Sequence, residues 1–496
     1  MMTNTGSATD TTGLAAVTAK TELRKASRLP RLFFLGTGFL GTSAGLGAAL
    51  FAASPARAFE AETTVAGVVE QAALRSRLHR RLMARFSHPL GVLEPLRLDL
   101  SGLKNSPALA SRTGSLTALA QNAVVENPRS GLRSRSIYGR LVVLNPAEGY
   151  SPEWQQDGAQ VFPLARLHAL GWLAAGSVIE HSPGVRARHH FFNPATGQGL
   201  SRRPDQGPQE LVSQSVGSGL STVREAMTGT AFDGTGLPAP DWIASESNDL
   251  GYPAFLRAHE RAVVAATATE RDSALAEALL CAGSMMGVLS QMADPAYVRG
   301  DLQAVLSGDG AGRVSQRFGR AAIPASPVPT GAERTAAALP HHIRELFADG
   351  EGGGLAESTA RRCQPAWGCY AGGAVAQLHD ATRQTRRLLD YLFRGELSLS
   401  LHDGSLRIQA EEWSLGSGSL LVLVEDADQT RRLLQTVATP PTLAGGEVAQ
   451  LPLSAADLAG AARVVVLFRG RDRYQEPLVT AAQILLPSDP SKPAAP

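Results

Sequence analysis

Glu180, His181 and His190 are the residues of this chain whose types and spacing could do chemistry. An acid and an imidazole stand side by side at the end of Gly171-Trp172-Leu173-Ala174-Ala175-Gly176-Ser177-Val178-Ile179-Glu180-His181. The pair His189-His190 then opens the aromatic turn Phe191-Phe192-Asn193-Pro194. Carboxylate oxygen and imidazole nitrogen are donors that a zinc ion accepts. The spacing leaves two readings open: a metal-ligating trio, or side chains hydrogen-bonded at a helix end. Other arrangements carry less. The one Gly-x-Ser-x-Gly match, Gly41-Thr42-Ser43-Ala44-Gly45, falls inside the apolar run over 32–53, so no nucleophile elbow is read. The glycine run at 350–354, interrupted by Glu351, lacks the Lys-Ser/Thr that would hold a nucleotide. His341-His342 precede Ile343-Arg344-Glu345 and read as a helix start. Asp294 and Asp301 flank Tyr297 and could cap helices, pair with Arg299 or face the site. Trp172, Trp242 and Trp413 read as core or lining residues.

The elements that must position these residues are mainly helical. In 271–292, Leu275, Leu279, Met286 and Leu289 recur at threes and fours, with Ala and Gly between them permitting close helix packing. Further helices are expected near 164–180 and over 374–393, the latter with Asp380, Arg383, Arg386 and Arg387 on its wet face. Gly/Pro/Ser-rich stretches near 201–240 and 320–340 read as surface loops. At Gly395 the character changes. Leu397, Leu399 and Leu401 alternate with serines, His402-Asp403-Gly404 makes a turn, and Leu406, Ile408 and Ala410 alternate after it. Apolar strand-like runs follow at 420–424, 464–468 and 483–486. The expectation is a helical domain over 59–394, a β-sandwich-like module over 395–487 and a disordered tail at 488–496.

The stretch around Glu180 resembles the zinc-dependent phospholipase C / S1-P1 nuclease family. His190-Phe191-Phe192-Asn193-Pro194 is similar to that family's His-Phe-Tyr-Asp-Pro turn, and His181 falls where the family places a ligand aspartate. Residues 283–301 resemble its helix carrying His-x-x-x-Asp followed by Pro-x-His, Gly-Gly-Gly-Leu-Ala stands at 352–356, and Tyr391-Leu392-Phe393-Arg394-Gly395 resembles the end of its helical domain. The resemblance covers roughly 60–395 and implies a multi-helix domain around a three-metal site. The departures fall on the ligands. The His-x-x-x-Asp positions read Gly287 and Gln291, the histidine after the proline reads Tyr297, and the ligand near the mature N-terminus maps to Val65. The later His-x-x-x-Glu has no clear match around 357–361. Metal-assisted phosphodiester hydrolysis needs ions held by replacing their water shell with protein donors. One or two donors cannot hold three ions, so no cofactor is expected. The one metal reading left is a single zinc on Glu180, His181 and His190, for which no second-shell support is evident. The alignment further implies that His190 should lie within a few Å of the helix face bearing Gly287 and Gln291.

Composition bears on compartment and partners. Before Arg31 stand Lys20, Arg24, Lys25 and Arg28, followed by an apolar run over 32–53 and Ser-Pro-Ala-Arg-Ala ending at Ala58. This reads as a cleavable secretion signal over 1–58, with an uncleaved anchor as the alternative because the run is long enough to span a bilayer. No second membrane-length apolar segment is read after Ala58, so a soluble extracytoplasmic bacterial protein, periplasmic or secreted, is expected. The chain has 47 basic and 45 acidic residues, of which the signal holds six and two. That balance argues against nucleic acid as a partner. Cys363 and Cys369 could close a short disulfide loop in an oxidising compartment, leaving Cys281 as a buried thiol.

Three functions therefore compete. The first is a non-catalytic binding or scaffold protein with a degraded zinc site and a β module that meets a protein or envelope partner. The second is an ester or phosphoester hydrolase with a rebuilt site, assisted by Asp294, Asp301 or Tyr297. The third is a purely structural envelope protein. Catalytic residues are not assigned.

Overall fold

The computed structural model describes residues 64–99, 164–180, 186, 188–200, 236–300, 339–351, 353–362 and 374–486. The chain divides into the units Met1–Phe51 and Ala52–Pro496, and every described residue belongs to the second. The signal, His181, Asp301, Cys363, Cys369 and the tail lie outside the described residues.

Among the described residues the chain is a helical domain followed by a β module. The helices are α1 (Ala66–Arg75), α2 (Leu78–Phe86), α3 (Ala169–Glu180), α4 (Ala239–Ala244), α5 (Tyr252–Val264), α6 (Ala268–Gln291), α7 (Pro295–Arg299), α8 (Leu355–Arg362) and α9 (Ala374–Leu392). Short 3-10 turns span Gly91–Leu93 and Ile343–Leu346. Two strands, β1 (Pro95–Asp99) and β2 (Leu164–His168), pair antiparallel at the entry to α3. The helix expected near 164–180 therefore begins five residues later, because its first residues complete a ladder with β1.

α6 is the axis of the helical domain and packs against α3, α5 and α9. A capping box starts it: Thr267 accepts from the Glu270 backbone, and the Glu270 carboxylate accepts from Thr267. α6 is long and apolar enough to cross a membrane by length and composition, which corrects the reading that no such segment follows Ala58. Its residues are buried against other helices, as in a soluble core. α3 and α6 approach almost backbone to backbone. A Cβ at Gly176 would stand 2.0 Å from the Leu280 carbonyl oxygen, and one at Gly283 would stand 1.9 Å from that of Leu173. On α9, Arg383 is exposed as expected, but Asp380 is buried and bridges Arg362 and Arg383.

The β module is a sandwich of two antiparallel sheets. One has the order β3 (Leu397–His402), β4 (Ser405–Ala410), β7 (Glu447–Pro452). The other has the order β6 (Arg431–Thr439), β5 (Leu415–Asp426), β8 (Ala461–Asp472), β9 (Pro477–Leu485). The turn at 402–404 is a two-residue hairpin with His402 opposite Ser405 and positive φ at Asp403 and Gly404, which matches strand twist. The three-stranded sheet buries one face, so its strands alternate. The four-stranded sheet buries both along β5, β8 and β9, while its edge strand β6 is mostly exposed or half-buried. Leu420, Val422, Val424, Val464, Val466 and Phe468 fill the sandwich, while Leu423, Val465, Leu467, Val479 and Ala481 join the helical core. A sheet covered on both sides reads as a continuous apolar run.

Buried arginines close the junction. Arg85 donates to the carbonyls of Phe393 (2.9 Å) and Gly395. Arg394 donates to Asp472 Oδ2 (3.1 Å), Tyr252 Oη (3.1 Å) and the Pro477 carbonyl (2.7 Å). Glu425, on β5, meets Arg431 (2.6 Å), Arg463 (3.1 Å) and Arg271 of α6 (3.3 Å). Gly395 has a φ of +79°, which turns the chain out of α9 at this seam.

Candidate functional site

Glu180, the last residue of α3, is fully buried and organises the region around it. Its Oε1 accepts from Trp242 Nε1 of α4 at 2.9 Å and faces His190 Nε2 at 3.3 Å. Its Oε2 accepts from Arg186 Nε at 3.0 Å, from Arg186 Nη2 at 2.5 Å and from the Ser284 hydroxyl of α6. Burial alone would push this carboxyl up. Arg186, joined by His190, overrides it and holds the group well below the usual carboxylate range. Glu180 is therefore ionised, with Trp242 donating to one oxygen and Arg186 and Ser284 to the other.

Arg186 is as enclosed as its partner. Besides Glu180 it donates to Asn248 Oδ1 at 2.5 Å and Asp249 Oδ1 at 2.9 Å, and its guanidinium carbon lies 4.9 Å from the Trp242 ring centroid. His189 stacks on the same indole, with centroids 4.2 Å apart and planes 9° apart. The Leu237 amide donates to His189 Nδ1 at 2.8 Å, and burial, then Arg188, lowers the imidazole to about 4.

Two of the mapped ligand positions, Gln291 and Tyr297, stand beside His190. His190 Nδ1 lies 3.0 Å from Gln291 Oε1 on the last turn of α6, within the few Å that the alignment implies. Tyr297 of α7 sits with its ring centroid 6.5 Å from that of His190 and 4.9 Å from that of Phe191. The Phe192 amide donates to the Tyr297 carbonyl at 3.3 Å, which ties the aromatic turn to α7. Asp294 caps α7, its Oδ1 accepting from the Ala296 amide at 2.9 Å. Gly287 faces α3: a Cβ there would stand 3.1 Å from Ser177 Cα and 3.2 Å from Ser177 Cβ. Val65, buried at the start of α1, belongs to the helical core.

These residues do not fit the zinc centre that the resemblance implies. Glycine offers no donor, and a histidine at 287 would need α3 and α6 to move apart. The Gln291 amide is spent on His190, and both Glu180 oxygens are taken by protein donors. Among the described residues no group of three His, Cys, Asp or Glu side chains could hold a metal ion. His181, the third member of the expected trio, lies outside them. Trp242, expected as a core or lining residue, lines the site, whereas spacing gave no sign of Arg186, Ser284, Asn248 or Asp249. Their one sequence signal was type, because a buried acid requires donors and a cation nearby.

No family model matches the chain, and no curated protein matches it. Solved structures similar to it include two clostridial alpha-toxins. Alpha toxin from Clostridium absonum is 11% identical, with 87% of this chain and 96% of that chain covered at a TM-score of 0.25. Clostridium perfringens alpha-toxin from avian strain SWCP is 11% identical, with 77% and 98% covered at a TM-score of 0.23. Scores of this size do not establish a shared fold.

Proposed function

We propose that this is an exported, non-catalytic binding or scaffold protein, a divergent relative of the zinc-dependent phospholipase C / S1-P1 nuclease family. The observation that carries this reading is the neutralisation of Glu180 by Arg186, a guanidinium in the role that a metalloenzyme gives to an ion. The gathering of Gln291 and Tyr297 beside His190 supports the kinship, since those positions were aligned by motif. The β module, fused to the helical core by one face of its larger sheet, leaves its smaller sheet for a protein or envelope partner.

Metal analysis of the purified exported chain tests this, together with ester and phosphodiester turnover assayed with added zinc. Substoichiometric metal and no turnover are expected. Two or three zinc ions that survive dialysis, with turnover, would sink the proposal. Export is tested separately by N-terminal sequencing: the mature chain should begin at Phe59, whereas a membrane-bound chain that retains 1–58 would favour the anchor.

A further inference from the structure

The connection between α2 and β1 holds two leucines in water on a braced support. Leu90 and Leu93 stand at the two ends of the single 3-10 turn Gly91–Leu93 and are 54% and 50% exposed. Side chains three apart eclipse on such a turn, so the two leucines lie together. The Gly91 amide donates to the His88 carbonyl at 2.9 Å, the Leu93 amide to the Leu90 carbonyl at 3.1 Å, and the Leu90 amide to Glu94 Oε2 at 3.0 Å. His168 Nδ1 lies 2.6 Å from the Leu93 carbonyl oxygen, and Val92 is buried beneath the turn. Gly91 has a φ of +56°, and a Cβ there would strike the His79 ring. Met83, one helical turn after His79 on α2, brings a third apolar side chain at 44% exposure.

Behind this apolar tip the charge is positive. The chain passes from Leu93 directly into β1, where Leu96 and Leu98 are buried and Arg97 is exposed. The ladder sets Arg97 opposite Arg166 of β2. Like charges in register weaken a strand pair, and an anion lying against them relieves the cost. Glu94 is the acid between tip and arginines, and its carboxylate is turned back onto the Leu90 amide. At strand spacing Arg97 lies about 13 Å along the chain from Leu93. A convex apolar tip with arginine one short strand behind it matches a surface that is anionic outside and apolar within. A fixed protein groove would have no such layering.

We infer that this tip docks the chain on an anionic lipid surface, with Leu90, Leu93 and Met83 entering the headgroup boundary and Arg97 level with the lipid phosphates. The inference goes beyond the proposed function and does not involve the β module or the zinc question.

The test mixes the chain beginning at Phe59, free of the apolar run over 32–53, with phosphatidylcholine vesicles with and without phosphatidylglycerol. Binding is read by co-sedimentation. The chain should sediment with the anionic vesicles only, and added salt should release it. The partition coefficient should fall about tenfold or more in the double variant Leu90→Ser/Leu93→Ser, and by a similar factor in Arg97→Glu. If the double variant does not fold, Arg97→Glu and the salt dependence of the native chain decide. No sedimentation with anionic vesicles, equal binding to neutral ones, or binding that ignores the variants overturns the inference. A vesicle-free dimer that Leu90→Ser/Leu93→Ser dissolves also overturns it, by giving the tip to a second copy. Metal content and turnover are unaffected by any of these outcomes, so the failure of this inference and that of the proposed function are distinguishable.

Discussion

Among the described residues, His259 stands in unfavourable surroundings. It is fully buried on α5 between the rings of Phe86, Phe255 and Phe393, at centroid distances of 5.7, 5.4 and 5.1 Å, and neither ring nitrogen has a hydrogen-bond partner. Burial, then the charge of Arg85, lowers its pKa from 6.5 to about 3. Between those values the unfolded chain binds a proton that the folded chain refuses. Stability is therefore present above pH 6.5 and is lost as pH falls toward 3. His259→Phe keeps an aromatic ring among the other three and removes the titration. Relative to the native chain it should gain on the order of 3 kcal/mol across that window, with little change at pH 8. Urea midpoints measured at several pH values check this, and parallel pH profiles would refute it. The site itself was half legible. Glu180 and His190 stood out by residue type, and Gln291 and Tyr297 by motif position. Arg186 did not, since a contact between a helix end and the segment after it has no period to read.

At the scale of elements, the α3–α6 contact determines what this fold tolerates. Alanine is a better helix former than glycine by about 1 kcal/mol. At Gly283 that gain meets a backbone carbonyl 1.9 Å from the new Cβ, which cannot yield as a flexible side chain would. Overpacking of this kind costs about 1–3 kcal/mol, occasionally more. Against a backbone carbonyl this close the upper end of that cost applies, so Gly283→Ala and Gly176→Ala should each destabilise by a net of about 2 kcal/mol, measured by chemical denaturation. An unchanged midpoint would mean that the helices stand further apart. The glycines among apolar residues of α6 announced this packing. The strand β2 was hidden for the opposite reason. Leu164, Leu167, Leu170 and Leu173 recur at threes, a helical spacing, yet backbone pairing of 164–168 with Pro95–Asp99 outweighs that local preference. In the β module the alternating strands and the continuous ones were both readable. Their difference in pattern reflects one buried face against two.

For the molecule as a whole, the helical domain and the β module share one core. Removing residues after Gly395 would uncover Phe393 and the helices against which Val465, Leu467 and Val479 pack. The helical portion expressed alone should be insoluble or lack a cooperative transition by calorimetry; a sharp transition would show that it folds independently. Glu425→Ala tests the polar half of the junction. It leaves Arg271 and Arg431 nearly buried without their shared carboxylate, and a loss of about 3–5 kcal/mol is expected from denaturation curves. A loss under 1 kcal/mol would show the network to be dispensable.

The shared core also orders events in time. β8 and β9 leave the ribosome long after α1 and α2, yet they supply Val465, Leu467, Val479 and Ala481 to the same apolar cluster as Val68 and Leu82. The earliest segments cannot complete their burial until nearly the entire polypeptide has been made. On the proposed export, a chain whose burial waits for β8 and β9 would stay threadable through a narrow translocation pore until those strands had crossed.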